Sequence, residues 1–170
     1  MSEETKIKAL EKLDAFKMKI GYPDKWTDYS ALEITADNLV QNVMNTRKFN
    51  FNEMIEKLGQ PVDKDEWFMT PQTVNAYYSS SQNELVFPAG ILQPPFYSID
   101  ADNALNYGGI GAVIGHEFSH GFDDQGSKYD ANGNLSNWWT EEDRARFDAR
   151  ANVVVEQFDG YFPLPDLHVN

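Results

Sequence analysis

The arrangement of His116, Glu117 and His120 constrains the fold of this chain more than any other feature of its sequence. Two histidines four residues apart lie over one another only when the segment between them is an α-helix. The apolar residues 112–114 precede the pattern, and Gly121 follows it. The sequence therefore predicts a helix that packs into the protein interior and ends at a glycine in the C′ position.

Imidazole side chains in this spacing indicate a zinc site. Because His116 and His120 share one helix face, both rings can reach a single metal ion. Glu117 lies about 100° around the helix from His116, where its carboxylate can act on a metal-bound water as a general base. The alternative is a chance pattern, in which the histidines are surface groups or satisfied core groups. Two of the chain's three histidines fall here, which favours the metal site.

Composition narrows the class of protein. With 170 residues, 41% hydrophobic and 14% aromatic, the chain can bury the core of one domain. Its net charge of −13 argues against nucleic acid or an anionic membrane surface as a partner. No apolar run approaches the roughly 18–20 residues that span a bilayer. Since the chain has no cysteine, zinc must be held by nitrogen and oxygen ligands, and a cytosolic location is weakly favoured.

Periodicity predicts a mostly helical α+β fold. An amphipathic helix is expected over residues 3–20, and a second helical segment over residues 31–58 with a break near 50–52. Strand-forming residues at 73–78 and 85–87 flank a polar turn and predict a small antiparallel hairpin beside the zinc helix. That helix is expected to begin near Asp102 or Asn103, and a capping box at residues 140–143 is expected to start the last helix.

Glycines are unusually frequent around the predicted zinc helix. They occupy positions 108, 109, 111 and 115. Each costs up to about 1 kcal/mol in a helix interior. We therefore expect another segment of backbone to approach this part of the helix closely.

Several longer stretches resemble the neprilysin family of zinc metallopeptidases, and most of all its bacterial members of the endopeptidase O type. The stretches are 75–78 (NAYY), 86–96 (VFPAGILQPPF), 106–111 (NYGGIG) and 113–124 (VIGHEFSHGFDD), with 20–24 (IGYPD) and 63–67 (DKDEW) in support. They cover nearly the whole chain. The fold implied is the thermolysin-like catalytic domain of a zinc peptidase, and the partners implied are short peptide substrates.

The resemblance assigns roles to individual residues. It implies that His116 and His120 bind one Zn²⁺ ion and that Glu117 polarises the attacking water. Asn75 and Ala76 match a pair that holds the peptide backbone from an edge strand. Val113 matches a residue that lines the pocket for the side chain after the scissile bond. Without the resemblance, the preferred interpretation of Asn75 is a polar residue at a strand end.

One part of the family pattern is not found. Family members take a third zinc ligand from a Glu-x-x-x-Asp sequence on a later helix, and no glutamate after His120 has an aspartate four residues on. Glu156, with Asp159 three residues later, comes nearest, and His168 is a less favoured substitute. We therefore expect residues 1–170 to be part of one peptidase catalytic domain, incomplete on its C-terminal side and inactive alone.

Other interpretations remain open from the sequence. The chain could be a peptide-binding module that has lost catalysis, although an intact Glu117 favours an enzyme. A structural metal domain requires four ligands, and two histidines without cysteine do not supply them. A bacterial cytoplasmic location is expected, with a membrane-anchored or secreted parent protein and the oligomeric state left open.

Overall fold

The structure is a computed structural model, and it describes residues 1–164 and residue 167. It is mostly helical with one small sheet, as the sequence predicts. The helices are α1 (Glu3–Asp14), α2 (Leu39–Glu56), α3 (Asn103–Gly108), α4 (Ile110–His120) and α5 (Glu141–Asp159). The strands are β1 (Lys17–Gly21), β2 (Tyr77–Ser79) and β3 (Glu84–Pro88). No helix in the described part of the chain is both long and apolar enough to cross a membrane.

The sheet is mixed, with β3 in its centre. The predicted antiparallel hairpin is confirmed, since β2 pairs with β3 through Tyr77 opposite Val86 and Ser79 opposite Glu84. The first hairpin strand is shorter than expected, because residues 73–76 are irregular and only the last two predicted positions enter β2. On its other side β3 pairs in parallel with β1, which the sequence did not predict.

The prediction of one helix over residues 3–20 is wrong beyond Asp14. The chain leaves α1 there and continues as β1. In β1 the usual polarity is reversed, since Lys19 is buried while Met18 and Ile20 are more than 60% exposed. Burial of Lys19 is possible because its ammonium group lies 2.7 Å from the buried Glu84 carboxylate on β3. A pairing distant in sequence thus overrides the local helical periodicity.

Helix α2 is shorter than its predicted range of 31–58 and has no break at residues 50–52. It begins after Asn38, whose side chain accepts a hydrogen bond from the Gln41 backbone N–H at 3.0 Å. Asparagine at the N-cap satisfies a helix N–H that has no partner within the helix. The cap therefore selects a start eight residues after the one that apolar spacing indicated.

The segment before the zinc motif folds as two helices rather than one. Asp102 caps α3 by accepting from the Ala104 backbone N–H at 2.8 Å, so a helix does begin at the predicted position. It is not the zinc helix, however, because α4 begins only at Ile110. Gly109 then separates α3 from α4. A β-carbon at Gly109 would lie 2.4 Å from the carbonyl oxygen of Phe96, which confirms the expected close backbone approach at this position. At Gly108 and Gly115 no such neighbour lies within 4 Å.

The hydrophobic core lies between the sheet and α4. Its buried members are Ala76, Leu85, Phe87, Ile91 and Ile110. Phe16, between α1 and β1, joins this core to α4 through ring contacts with Tyr78 and Phe118, at centroid distances of 5.4 and 5.5 Å. The core therefore packs the hairpin and the N-terminal segment against the zinc motif.

The last helix follows its predicted start. The Thr140 hydroxyl accepts from the Asp143 backbone N–H at 3.2 Å, and α5 runs from Glu141 to Asp159. Its first turn is held against α1, because the Asp143 carboxylate also accepts a hydrogen bond from the backbone N–H of Ser2 at 2.8 Å. The N-terminal and C-terminal helices thus meet at their first turns.

Candidate metal centre

Helix α4 brings the two imidazoles of the motif together. The Nε2 atoms of His116 and His120 lie 3.0 Å apart, and the ring planes are nearly perpendicular. This arrangement follows from the four-residue spacing, since α4 is regular from Ile110 to His120. The two nitrogens therefore converge on one point beside the helix.

The burial of these residues differs from the prediction. His116 is exposed and the His120 side chain is 44% exposed, so the histidines do not lie in the protein interior. Glu117 is the buried member of the motif, at 6% exposure. One face of α4 carries Val113 and Phe118 towards the core, while the histidines lie at its edge, open to solvent. An open imidazole pair is accessible to a metal and to a substrate.

The end of α4 also differs from the prediction. Gly121 has φ −64°, an ordinary helical value, and not the left-handed conformation of a C′ glycine. A β-carbon at Gly121 would lie 2.5 Å from the Cζ atom of Phe16, so any larger residue would displace that ring. The helix therefore ends where an aromatic ring packs directly on its backbone.

Asp123, which sequence reasoning missed, fixes the orientation of His120. Its Oδ2 atom lies 2.7 Å from His120 Nδ1, and its Oδ1 atom accepts from the backbone N–H groups of Gln125 and Gly126 at 2.9 and 2.8 Å. Burial alone would raise the pKa of Asp123, but these hydrogen bonds hold it below its ordinary value. An ionised Asp123 favours the tautomer of neutral imidazole that carries its proton on Nδ1, in which Nε2 can bind a metal. An aspartate three residues after the second histidine was the available signal.

The donor set fits zinc. Two nitrogens bound to one tetrahedral zinc at about 2.0–2.1 Å lie roughly 3.3 Å apart, and the observed Nε2 separation is 3.0 Å. The unprotonated Nε2 of His120 is the form of imidazole that binds a metal. A histidine that binds zinc usually donates its other ring N–H to a carboxylate or carbonyl oxygen, and His120 Nδ1 lies 2.7 Å from Asp123 Oδ2. The geometry and the chemistry of both rings therefore suit the metal predicted from sequence.

A third ligand does not appear in the described part of the chain. Among residues 1–164 and 167, no three His, Cys, Asp or Glu side chains are grouped to hold one ion. Glu156, the nearest match to the expected sequence, is exposed on α5 and belongs to no such group. His168, the other alternative, lies outside the described residues. Two imidazoles are thus the metal ligands that this structure brings together.

Two of the three expected substrate residues share one cluster, since Val113 of α4 packs on the core that contains Ala76. Asn75 and Ala76 directly precede β2, and β2 contacts α4. Asn75 is exposed and its Oδ1 accepts from the Ala76 backbone N–H at 2.9 Å, while Ala76 is buried in the core. In the described residues β2 pairs only with β3, so its outer edge is available to another strand. Val113, one turn before His116, is half-buried and packs on the core.

Comparisons with known proteins identify the family of the chain. The sequence profile of peptidase family M13 matches residues 75–170, more than half of the chain. Over 95% of this chain, human neprilysin is 44% identical, and over 94% a neutral endopeptidase of Lactobacillus helveticus is 48% identical. A Mycobacterium tuberculosis zinc metalloprotease, solved in complex with an inhibitor, superposes on 96% of the chain with a TM-score of 0.92 and 58% identity.

These matches also show how much of each relative's length the chain covers. It spans 22% and 25% of the lengths of the two curated relatives, and it covers 25% of the superposed M. tuberculosis chain. The resemblance to the neprilysin family is confirmed, with bacterial relatives among the similar proteins. The range matched by the family profile, residues 75–170, contains the imidazole pair on α4, and the chain belongs to peptidase family M13, the neprilysin family.

Proposed function

We propose that this chain supplies the zinc-binding helix, the general base and a substrate-binding edge of a zinc-dependent metalloendopeptidase for short peptides. The observation that carries the proposal is the pair of Nε2 atoms 3.0 Å apart with Glu117 between them in sequence. Membership of family M13 supports a peptidase, and the donor set supports zinc. Residues 1–170 would then form part of one catalytic domain.

Each residue of the motif has a distinct role in this proposal. His116 and His120 would hold the zinc ion, which would supply Lewis-acid polarisation and make water at the site more acidic. Glu117 accepts the proton of the attacking water and returns it to the amine leaving group. Among the described residues, no hydrogen bond or ion pair engages the Glu117 carboxylate, which leaves it free for proton transfer.

The exposed edge of β2 suits an extended peptide. Backbone N–H and C=O groups on an unpaired strand edge can bind a peptide as an added strand. We infer that Asn75 and Ala76 hold the peptide backbone at the start of this edge, and that Val113 contacts the side chain after the scissile bond. Contact between β2 and α4, the helix that carries the imidazole pair, supports this arrangement.

We further infer that the third ligand comes from a segment outside the described residues. A catalytic zinc takes three protein ligands and keeps one open position. Residues 1–170 alone should then bind zinc weakly and cleave no peptide. Extending the polypeptide with the segment that follows in the full-length protein should restore cleavage. Turnover by the 170-residue chain itself would show that a ligand within it completes the site.

The role of Glu117 is tested by Glu117→Gln in the full-length protein. We expect cleavage of a short fluorogenic peptide to fall by at least about 100-fold, because removal of a general base typically costs 10²–10⁴ in rate. Zinc content should not change. Glu56→Gln, the same substitution at an exposed position on α2, is the matched control and should retain full activity.

The same experiment distinguishes the enzyme from a peptide-binding module. A module would bind the peptide without cleaving it, and Glu117→Gln would change nothing that can be measured. Retention of near-normal turnover in the Glu117→Gln variant, with zinc bound, would instead assign the proton transfer to another group.

A further inference from the structure

Lys12 is a buried cation that the proposed mechanism does not use. It lies in the last turn of α1 and is 1% exposed. Its ammonium nitrogen lies over three aromatic rings, at 5.8 Å from the centroids of Tyr78 and Phe122 and 5.7 Å from that of Trp138. Distances within about 6 Å are those of favourable cation–π contacts. Tyr78 belongs to the hairpin, whereas Phe122 and Trp138 lie in the segment between α4 and α5.

The hydrogen bonds of the Lys12 ammonium group go to the turn after α4, at residues 121–129. The ammonium group donates to the carbonyl oxygens of Gly126 and Tyr129 at 2.6 and 2.7 Å. No carboxylate among the described residues lies within ion-pair distance of it, so backbone dipoles and aromatic faces stabilise the charge. Burial lowers the pKa of Lys12 to about 8, although the charges of Asp130 and Asp123 oppose this shift.

The turn that Lys12 holds is the one that orients His120. Gly126 accepts from Lys12 through its carbonyl group and donates through its N–H to Asp123 Oδ1 at 2.8 Å. The turn also lies against the end of α4, because a β-carbon at Gly126 would lie 1.8 Å from the carbonyl oxygen of His120. One glycine therefore links the buried ammonium group to the carboxylate that contacts the His120 ring.

A hydrogen bond from the hairpin turn holds the backbone of Lys12 in place. The Asn83 side chain, at the end of the hairpin turn with φ 50°, donates to the carbonyl oxygens of Lys12 and Ala131 at 3.2 and 3.0 Å. Its Oδ1 atom accepts from the Tyr78 hydroxyl at 2.8 Å. The hairpin turn thus holds the end of α1 in the position from which Lys12 reaches the turn after α4.

We propose that Lys12 is a positioning residue of the zinc site: its ammonium group fixes the turn that carries Asp123, and Asp123 in turn fixes the tautomer and orientation of His120. This inference rests on the proposed function. A lysine that served only to fill the core would be replaceable by an apolar side chain of similar length. A positioning lysine is not, because the apolar chain leaves the carbonyl oxygen of Gly126 without its donor.

The test is a double-mutant cycle on zinc affinity in the full-length protein, measured by competition with a chelator. Lys12→Met should weaken zinc binding by about tenfold, at the lower end of the 10–100-fold range for outer-shell partners. In an Asp123→Ala background the same substitution should weaken it by less than about twofold, because the route through Asp123 is already lost. Lys8→Met, on the exposed side of α1, is the matched control and should leave zinc affinity unchanged.

Each outcome decides the proposal. Unchanged zinc affinity in Lys12→Met, or an equal loss with and without Asp123, overturns it. If Lys12→Met does not fold by circular dichroism, the cycle is repeated with Lys12→Gln, whose amide can donate to one carbonyl. Failure of both variants to fold makes Lys12 a residue of overall stability and also overturns the proposal. Absence of zinc binding in the unmodified full-length protein refutes the proposed function instead.

Discussion

Asp123→Asn should impair zinc binding even though it removes only a charge and changes one atom type. Asp123 uses one oxygen for His120 Nδ1 and the other for the backbone N–H groups of Gln125 and Gly126. An asparagine that keeps the backbone bonds presents an NH₂ group to His120, which forces the ring proton to Nε2, the proposed ligand atom. The flipped amide restores the correct tautomer but directs its NH₂ group at two backbone donors. Neither orientation satisfies both sides.

The size of the loss follows from the contact. The 2.7 Å distance between Nδ1 and Oδ2 is typical of a hydrogen bond to an ionised group. Such bonds contribute roughly 1.5–3 kcal/mol. The His120 and Asp123 side chains are 44% and 31% exposed, so the lower half of this range applies. A loss of about 1.5–2 kcal/mol corresponds to a zinc dissociation constant roughly 10–30 times higher.

The assay is chelator competition at pH 7, with Asp124→Asn as the control. Asp124 is adjacent and exposed, and its carboxylate accepts from the Gln125 side chain at 2.6 Å without contacting His120. The control makes the same change in net charge, so it isolates the tautomer effect from long-range electrostatics. If both variants bind zinc as tightly as the unmodified protein, Asp123 does not set the tautomer of His120.

Three further predictions concern stability, measured as the free energy of unfolding in urea. Lys19→Met should cost about 3–5 kcal/mol because it leaves the Glu84 carboxylate buried and uncompensated, whereas adding Glu84→Met should recover most of the loss. Gly133→Ala should cost more than Gly59→Ala, since both have positive φ but only Gly133 has a carbonyl oxygen 2.0 Å from the new β-carbon. The free energy of unfolding should rise between about pH 8 and about pH 10.5, because in this range the unfolded chain retains the Lys12 proton that the folded chain has lost. Lys12→Met should abolish this rise.

Local sequence signals predicted the elements that local contacts stabilise. Helix α5 begins where Thr140 caps it, and α3 begins where Asp102 caps it, because both caps act within three residues. Strand β1 could not be predicted in the same way. Its buried residue is Lys19, whose partner Glu84 lies 65 positions later and is visible only after the sheet has formed. Residue spacing alone therefore assigned β1 to the preceding helix.

The candidate site likewise contains contacts that are local in sequence, which could be predicted, and contacts that are distant in sequence, which could not. The approach of His116 to His120 is a property of one helix, and four-residue spacing was sufficient to predict it. Asp123 acts across a turn that spacing alone does not define. Lys12 reaches the site from more than 100 residues away in sequence, through bonds to main-chain carbonyls that any residue types could supply. Contacts of this kind to main-chain atoms cannot be predicted from a pattern of side chains in the sequence.

The distribution of these contacts explains how an exposed imidazole pair can be well oriented. The His120 ring is 44% exposed, so packing alone does not fix it. Orientation comes instead from the turn behind it, where the buried groups are concentrated: Gly126 and Ser127 are buried, and so is Lys12. Rigidity on the buried side leaves the solvent side open for a metal and a peptide. A substitution on the buried side should therefore alter metal affinity without touching the metal, which is the behaviour that the Lys12 and Asp123 cycle measures.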